Sequence, residues 1–191
     1  MSSVVKLALY AILISIVVVF LSKMAALIPF YITMVTEAFT LANISAADNY
    51  LKRQHYEDSL EGLRSRPLYN VNADEVRIYV LNEDGAARLQ SDVSNRSIEQ
   101  KLASLNSDHF AIGENNEFVY NATNGPFGKP YRQRGRPIQI IVTAVYPFQF
   151  MLWGRPAGFD VPVSFSITTI GLKYYKDLDA DYFYEAEDPY W

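Results

Sequence analysis

Apolar residues dominate the start of the chain. Leu7 to Leu21 is apolar apart from Ser15, and Met24 to Val35 is apolar apart from Thr33; only Ser22 and Lys23 separate the two runs. A bilayer core ~30 Å thick takes about 20 such residues as a helix. Val4 to Leu21 fits that length, with Lys6 and Lys23 placed to snorkel to opposite interfaces. The rhythm then changes. Thr33, Thr36, Glu37, Thr40, Asn43, Asp48 and Lys52 form a polar stripe at helical steps, and Phe30, Met34, Leu41, Ile44, Tyr50 and Leu51 lie off it. The pattern predicts one helix from Val4 to about Arg53, ~75 Å long at 1.5 Å per residue. No bilayer needs that length, so the second half is expected to bury itself against protein. Pro29 lacks an N–H and is expected to bend the helix.

Two rival readings of this opening are weaker. A cleaved signal peptide has a shorter apolar core followed by a cleavage site, whereas here the apolar character resumes after Lys23. A helical hairpin needs a turn, and Ser22-Lys23 is too short and lacks Gly or Pro.

Beyond Arg53 the charged stretch to Arg66 extends the helix by some turns until Gly62 and Pro67 end it, and Tyr69 to Asp74 reads as a loop. Val76, Ile78 and Val80 alternate with polar neighbours as a half-buried strand. Asn82-Glu83-Asp84-Gly85 carries a turn signal, with Ala86 to Gln90 returning as a short strand. Ser97 to Leu105 reads as a short helix whose inner face is Ile98, Leu102 and Leu105. Segments 109–112 and 117–121 flank a Gly-Glu-Asn-Asn turn as a hairpin. Ile138 to Tyr146 and Val161 to Thr168 are the two strongest strands, joined by a connection from Phe148 to Gly158. The predicted organisation is a transmembrane and stalk helix over 1–66, an antiparallel β-rich extracytoplasmic domain over 67–176, and an acidic, aromatic tail over 177–191. The fold class is α+β, a long N-terminal helix packed on a mainly antiparallel sheet.

The 191 residues include no cysteine, which removes disulfides and thiol chemistry together. Net charge is −4, so bulk basicity gives no argument for nucleic acid. His55 and His109 lie far apart, and no phosphate loop, serine elbow or zinc motif is present. Asp177, Asp179 and Asp181 start like a calcium loop, but Tyr182 stands where that loop needs glycine. No cofactor, metal, small-molecule substrate or catalytic residue is therefore expected.

Lys129, Arg132, Arg134 and Arg136 form a basic loop; Asp177, Asp179, Asp181 and Glu185 form an acidic tail. They are candidates for contact between neighbouring subunits, since complementary patches set register. A weak nucleic-acid contact through the loop is the alternative.

Pro29, then Glu37, then the small-residue run over 42–47 resembles the second half of a TadE-type segment. The run from Gly135-Arg136-Pro137-Ile138 through Tyr146-Pro147-Phe148 to Gly171-Leu172-Lys173-Tyr174-Tyr175-Lys176 also resembles TadE-like proteins of bacterial conjugative elements. The wider plan resembles type IV pilin-like subunits. In those a basic leader precedes the helix and a glutamate lies just inside it; here Met1-Ser2-Ser3 leads into the apolar run and Glu37 lies far along. The expectation is an unprocessed or already trimmed subunit. The resemblance implies a structural, single-pass subunit of a pilus, secretion or conjugation apparatus in the cytoplasmic membrane, its domain outside, with copies of itself or related subunits as partners. Leu7, Leu9, Ile12, Ile14, Val17, Val19, Phe20 and Leu21 are the anchor. The runner-up is a non-polymerising membrane-anchored module that binds protein through Phe148, Phe150 and Trp153; an enzyme comes third.

Overall fold

The computed structural model describes residues 3–106, 109–113, 134–152 and 155–173. Helix α1 runs unbroken from Ser3 to Asp48, across both Lys23 and Pro29. Its 46 residues span about 70 Å at 1.5 Å per residue. None of the most apolar 18-residue window in the first half is buried. The second half buries Phe30, Met34, Ala38, Leu41, Ala42, Ser45 and Ala46. Those positions recur at three- and four-residue steps, so they form one stripe. The alanines on it bring the helix backbone close to the sheet, while Phe30 and Met34 fill the space beside them.

The sheet holds three antiparallel strands in the order β2, β4, β5: β2 is Arg77–Leu81, β4 is Pro137–Leu152 and β5 is Arg155–Ile170. Strand β4 is central. Its Ile138, Ile140, Val142, Ala144, Tyr146 and Phe148 share one face and pack on the α1 stripe together with Ile78 and Val80. On β5 the predicted alternation is seen: Val161, Val163, Phe165 and Ile167 are half-buried and Pro162, Ser164, Ser166 and Thr168 exposed.

Both strong strands are longer than their alternation predicts. The stretch from Phe148 to Gly158 is not a separate connection; the pairing continues through Phe148↔Phe159 and Phe150↔Ala157 to Leu152↔Arg155. Pro147 and Gln149 blur the alternation there without breaking the ladder, because proline is tolerated where its missing N–H faces outward. Strand β4 is also buried on both faces at its middle. Ile141 lies under Leu81 and Leu102, with Leu89, Leu105 and Phe110 around them.

That second cover comes from two short helices. Helix α4 spans Glu83–Ser91, where a turn and a strand were expected. Asn82 caps it, its side chain accepting from Gly85 N at 2.7 Å, and Glu83 and Asp84 occupy the first turn, where acidic groups suit the helix dipole. The same Asn-acid-acid-Gly string thus serves as a helix start. Gly85 is required for space, since a Cβ there would sit 2.4 Å from His109 O. Helix α5, Ile98–Ala103, carries a complete capping box between Ser97 and Gln100. Leu102 is its buried residue and Leu105, just past its end, is half-buried, whereas Ile98 is exposed.

Helix α1 ends sooner than the predicted Arg53. Asn49 takes a left-handed conformation, φ 60°, and is fully buried. Asparagine is the commonest non-glycine residue to end a helix this way. The chain reverses into a two-residue strand, β1 (Leu51–Lys52), which pairs in parallel with β3 (Ile112–Gly113). The Ile112 stretch is thus partnered by β1; the other arm of its expected hairpin lies outside the described residues. A separate helix, α2, follows over Arg53–Arg64, with Gly62 inside it. Pro67 opens the four-residue helix α3 (Pro67–Asn70), and Ala73–Glu75 is a 3₁₀ turn, in place of the expected loop. Proline at a first helical position loses nothing, because that N–H has no partner in any helix.

Met34→Ala should cost about 2–5 kcal/mol, the range for truncating a fully buried side chain. Denaturant unfolding of the full chain in detergent checks it; a cost under ~1 kcal/mol would mean that the stripe is not a packed core.

Candidate functional site

Helix α1 is pinned to the body at three levels, by β4, by α3 and by the segment after β5. Near the middle, Tyr146 Oη donates to Lys23 O at 2.9 Å. At the residue after Pro29, Tyr69 Oη donates to Phe30 O at 2.5 Å, and its ring stacks on Phe30 at 4.1 Å. Burial pushes the Tyr69 phenol well above its ordinary range, so it stays a donor at any working pH. At the far end Asn49 clasps the exit of β5. Its side-chain nitrogen donates to Lys173 O at 2.7 Å, its oxygen accepts from Lys173 N at 2.9 Å, and Leu172 N donates to Ala46 O at 2.8 Å. These bonds fix how far the helix can slide along the sheet.

Asp48 lies beside this clasp and holds Lys52 and Lys173, each at 3.0 Å. Burial alone would raise its pKa; the two lysine hydrogen bonds and charges outweigh that and hold the carboxyl below its usual value.

The expected docking residues fall as follows. Phe30, Met34 and Leu41 are buried on α1, Ile44 is half-buried, and Tyr50 and Leu51 are buried just beyond the helix end. All eight expected anchor residues are exposed. Ser15, a hydroxyl in the middle of that run, donates to Ala11 O at 2.9 Å, so it carries its own partner.

The charged candidates separate. Arg134 is exposed. Arg136 pairs within the chain, its Nη1 2.5 Å from Glu83 of α4. Lys129, Arg132, Asp177, Asp179, Asp181 and Glu185 lie outside the described residues, as does Trp153. Phe148 is buried against the helix, and Phe150 is half-buried and borders an open cleft. Among the described residues no group of three or more His, Cys, Asp or Glu could hold a metal. His55 and His109 are both half-buried and sit on different elements.

One open cleft borders the apolar half of α1. About 340 Å³ in volume, it lies between Ala11, Ile12, Ser15, Ile16, Val19 and Phe20 on the helix and Phe150 and Met151 on β4.

Nothing in the sequence marks the Asn49 clasp beyond an asparagine in a helical run, because its bonding partner is 124 residues away. No family model, curated protein or solved structure matches the chain.

Two outcomes follow from the clasp. Asn49→Ala should destabilise by about 2–4 kcal/mol, losing two buried hydrogen bonds and gaining left-handed strain. Asn49→Gly should cost about 1 kcal/mol less, since glycine tolerates that φ. Equal costs in equilibrium unfolding would show that backbone strain plays no part. For Asp48, a carboxyl with a depressed folded pKa lends stability that is complete above its unfolded value, near ~3.9, and lost as pH falls through the folded one. Asp48→Asn should therefore flatten the loss of stability below about pH 4; an unchanged acid limb in melting curves would refute the pairing.

Proposed function

We propose that this chain is a structural, membrane-anchored subunit of the pilin-like kind, serving a pilus, secretion or conjugation apparatus. The observation that supports the reading is a single unbroken helix with two unlike halves. One half is predominantly apolar, with none of its most apolar window buried; the other carries one apolar stripe and is docked on an antiparallel sheet. A helix apolar all round is stable only in lipid or inside a bundle. In this reading the bilayer stores the subunit, and assembly transfers the exposed half into a bundle of like helices, where its apolar surface stays out of water. The docked half and the sheet form the outer body. The resemblance to TadE-like segments at Pro29, Glu37 and residues 42–47 points the same way. No residue acts as a catalyst in this scheme.

The lack of native cysteines makes the test direct. Leu13→Cys in native membranes should resist carbonate extraction and give crosslinked ladders of identical chains under oxidation. Extraction into the soluble fraction would overturn the anchor. Membrane retention with monomers alone, at Leu13 and at Val17 and Leu21 tested in the same way, would overturn polymerisation.

A further inference from the structure

Strand β2 lies at an edge of the three-stranded sheet, and its outer side is only partly used. Val76 O, just before the strand, accepts from Arg64 Nη2 at 3.0 Å, and Val80 O accepts from Ala111 N at 2.8 Å. Both carbonyls therefore face away from β4. Alternation along an antiparallel ladder turns the N–H and C=O of Ile78, midway between them, to the same side. Among the described residues neither group has a partner. Ile78 lines an open cleft of about 440 Å³ between β2, helix α2 and the stretch from Phe110 to Ile112.

The walls of this cleft differ in chemistry. Tyr56, Leu60 and Arg64 recur at four-residue steps, so one face of α2 lines it. Arg77, at the start of β2, is exposed and lines it with Arg64. The bond to Val76 O uses one N–H of the Arg64 guanidinium, and its Nε is buried with no partner among the described residues. Asp74 also lines the cleft, yet among the described residues it forms an ion pair with neither arginine. Leu60, Phe110 and Ile112 supply an apolar wall. This combination suits an extended peptide: an open strand edge bonds its backbone, a planar guanidinium fork takes a carboxylate, and the apolar wall takes a neighbouring side chain.

The chain itself carries such a peptide. Asp181, Phe183 and Glu185 read acid, aromatic, acid at two-residue steps, the period of one face of an extended segment. We propose that the α2–β2 cleft is a peptide-binding site and that its occupant is the acidic, aromatic segment 177–191 of a second copy. One residue of the segment bonds Ile78 as an added strand does, a carboxylate engages Arg64 and Arg77, and an aromatic ring covers Leu60, Phe110 and Ile112. The inference rests on the reading above that copies of this chain are its partners. Segment and cleft are different surfaces, so the contact is heterologous, the kind that propagates along an assembly instead of closing a pair.

The test uses the full chain in native membranes, as two co-expressed forms with tags of different size. One carries Leu60→Cys and the other Phe183→Cys. Oxidation should give mixed disulfide dimers in clear excess over a Val93→Cys control, a body residue 93% exposed that does not line the cleft. Arg77→Ala added to the Leu60→Cys form should cut the yield about tenfold, the effect of losing one hydrogen bond to a charged group. Tyr56→Cys, tried in the same way, guards against misfolding of the Leu60→Cys form. Control-level yields from both positions would overturn the site. A disulfide formed only when both cysteines share one chain would place the segment in its own cleft and overturn the second-copy occupant. A yield unmoved by Arg77→Ala would overturn recognition of a carboxylate. Leu13→Cys ladders in the same membranes separate the two readings: ladders without mixed dimers overturn this inference alone.

Discussion

One helix carries two unlike halves, and the rest of the structure depends on how the second is covered. Phe30, Met34, Ala38, Leu41 and Ala42 present a dry stripe that cannot remain in water. Strand β4 supplies the matching face with Ile138, Ile140, Val142, Ala144 and Tyr146. Fully burying one such side chain contributes about 1.5–3 kcal/mol, so a stripe of this length outweighs any single polar contact in the chain. The polar contacts do something different. Hydrophobic packing tolerates sliding, whereas Tyr146 at Lys23, Tyr69 at Phe30 and Asn49 at Lys173 accept one axial register.

That register has consequences at both ends. At the distal end it closes the molecule, because the exit of β5 is clasped to the end of α1 and Gly171 leaves room for it; a Cβ at Gly171 would meet Asn49 Oδ1 at 2.6 Å. At the other end it carries sixteen-residue strands past the level of Lys23. A shorter hairpin would cover the stripe equally well. The extra length is spent beside the apolar half of the helix, so the body and the anchor share a boundary rather than meeting at a joint.

The opposite face of the sheet is handled locally. Leu81, Ile141 and Leu102 form a small second core under α4 and α5. It makes the middle of β4 buried on both sides, and it uses Glu83 to engage Arg136. A cation that reads in the sequence as part of a free basic loop is thereby drawn into the body's own electrostatics. The separation of roles along the chain is consistent: apolar area decides which surfaces meet, and a few polar pairs decide at what offset.

The sequence by itself determined the long apolar helix, the docking stripe from Phe30 to Leu41, the α+β class and the two main strands. Each of these rests on local periodicity, 3.6 or 2, that no distant residue needs to complete. Tertiary structure decided the rest. Asn49 ends the helix because Lys173 arrives to bond it and Leu172 to bond Ala46 O in the last turn. Asn82 starts a helix rather than a turn because the sheet's second face needed covering and His109 left room only for Gly85. The strands run on to Leu152 and Arg155 because each pairs with the other, and pairing is a property of two segments that neither one's alternation records.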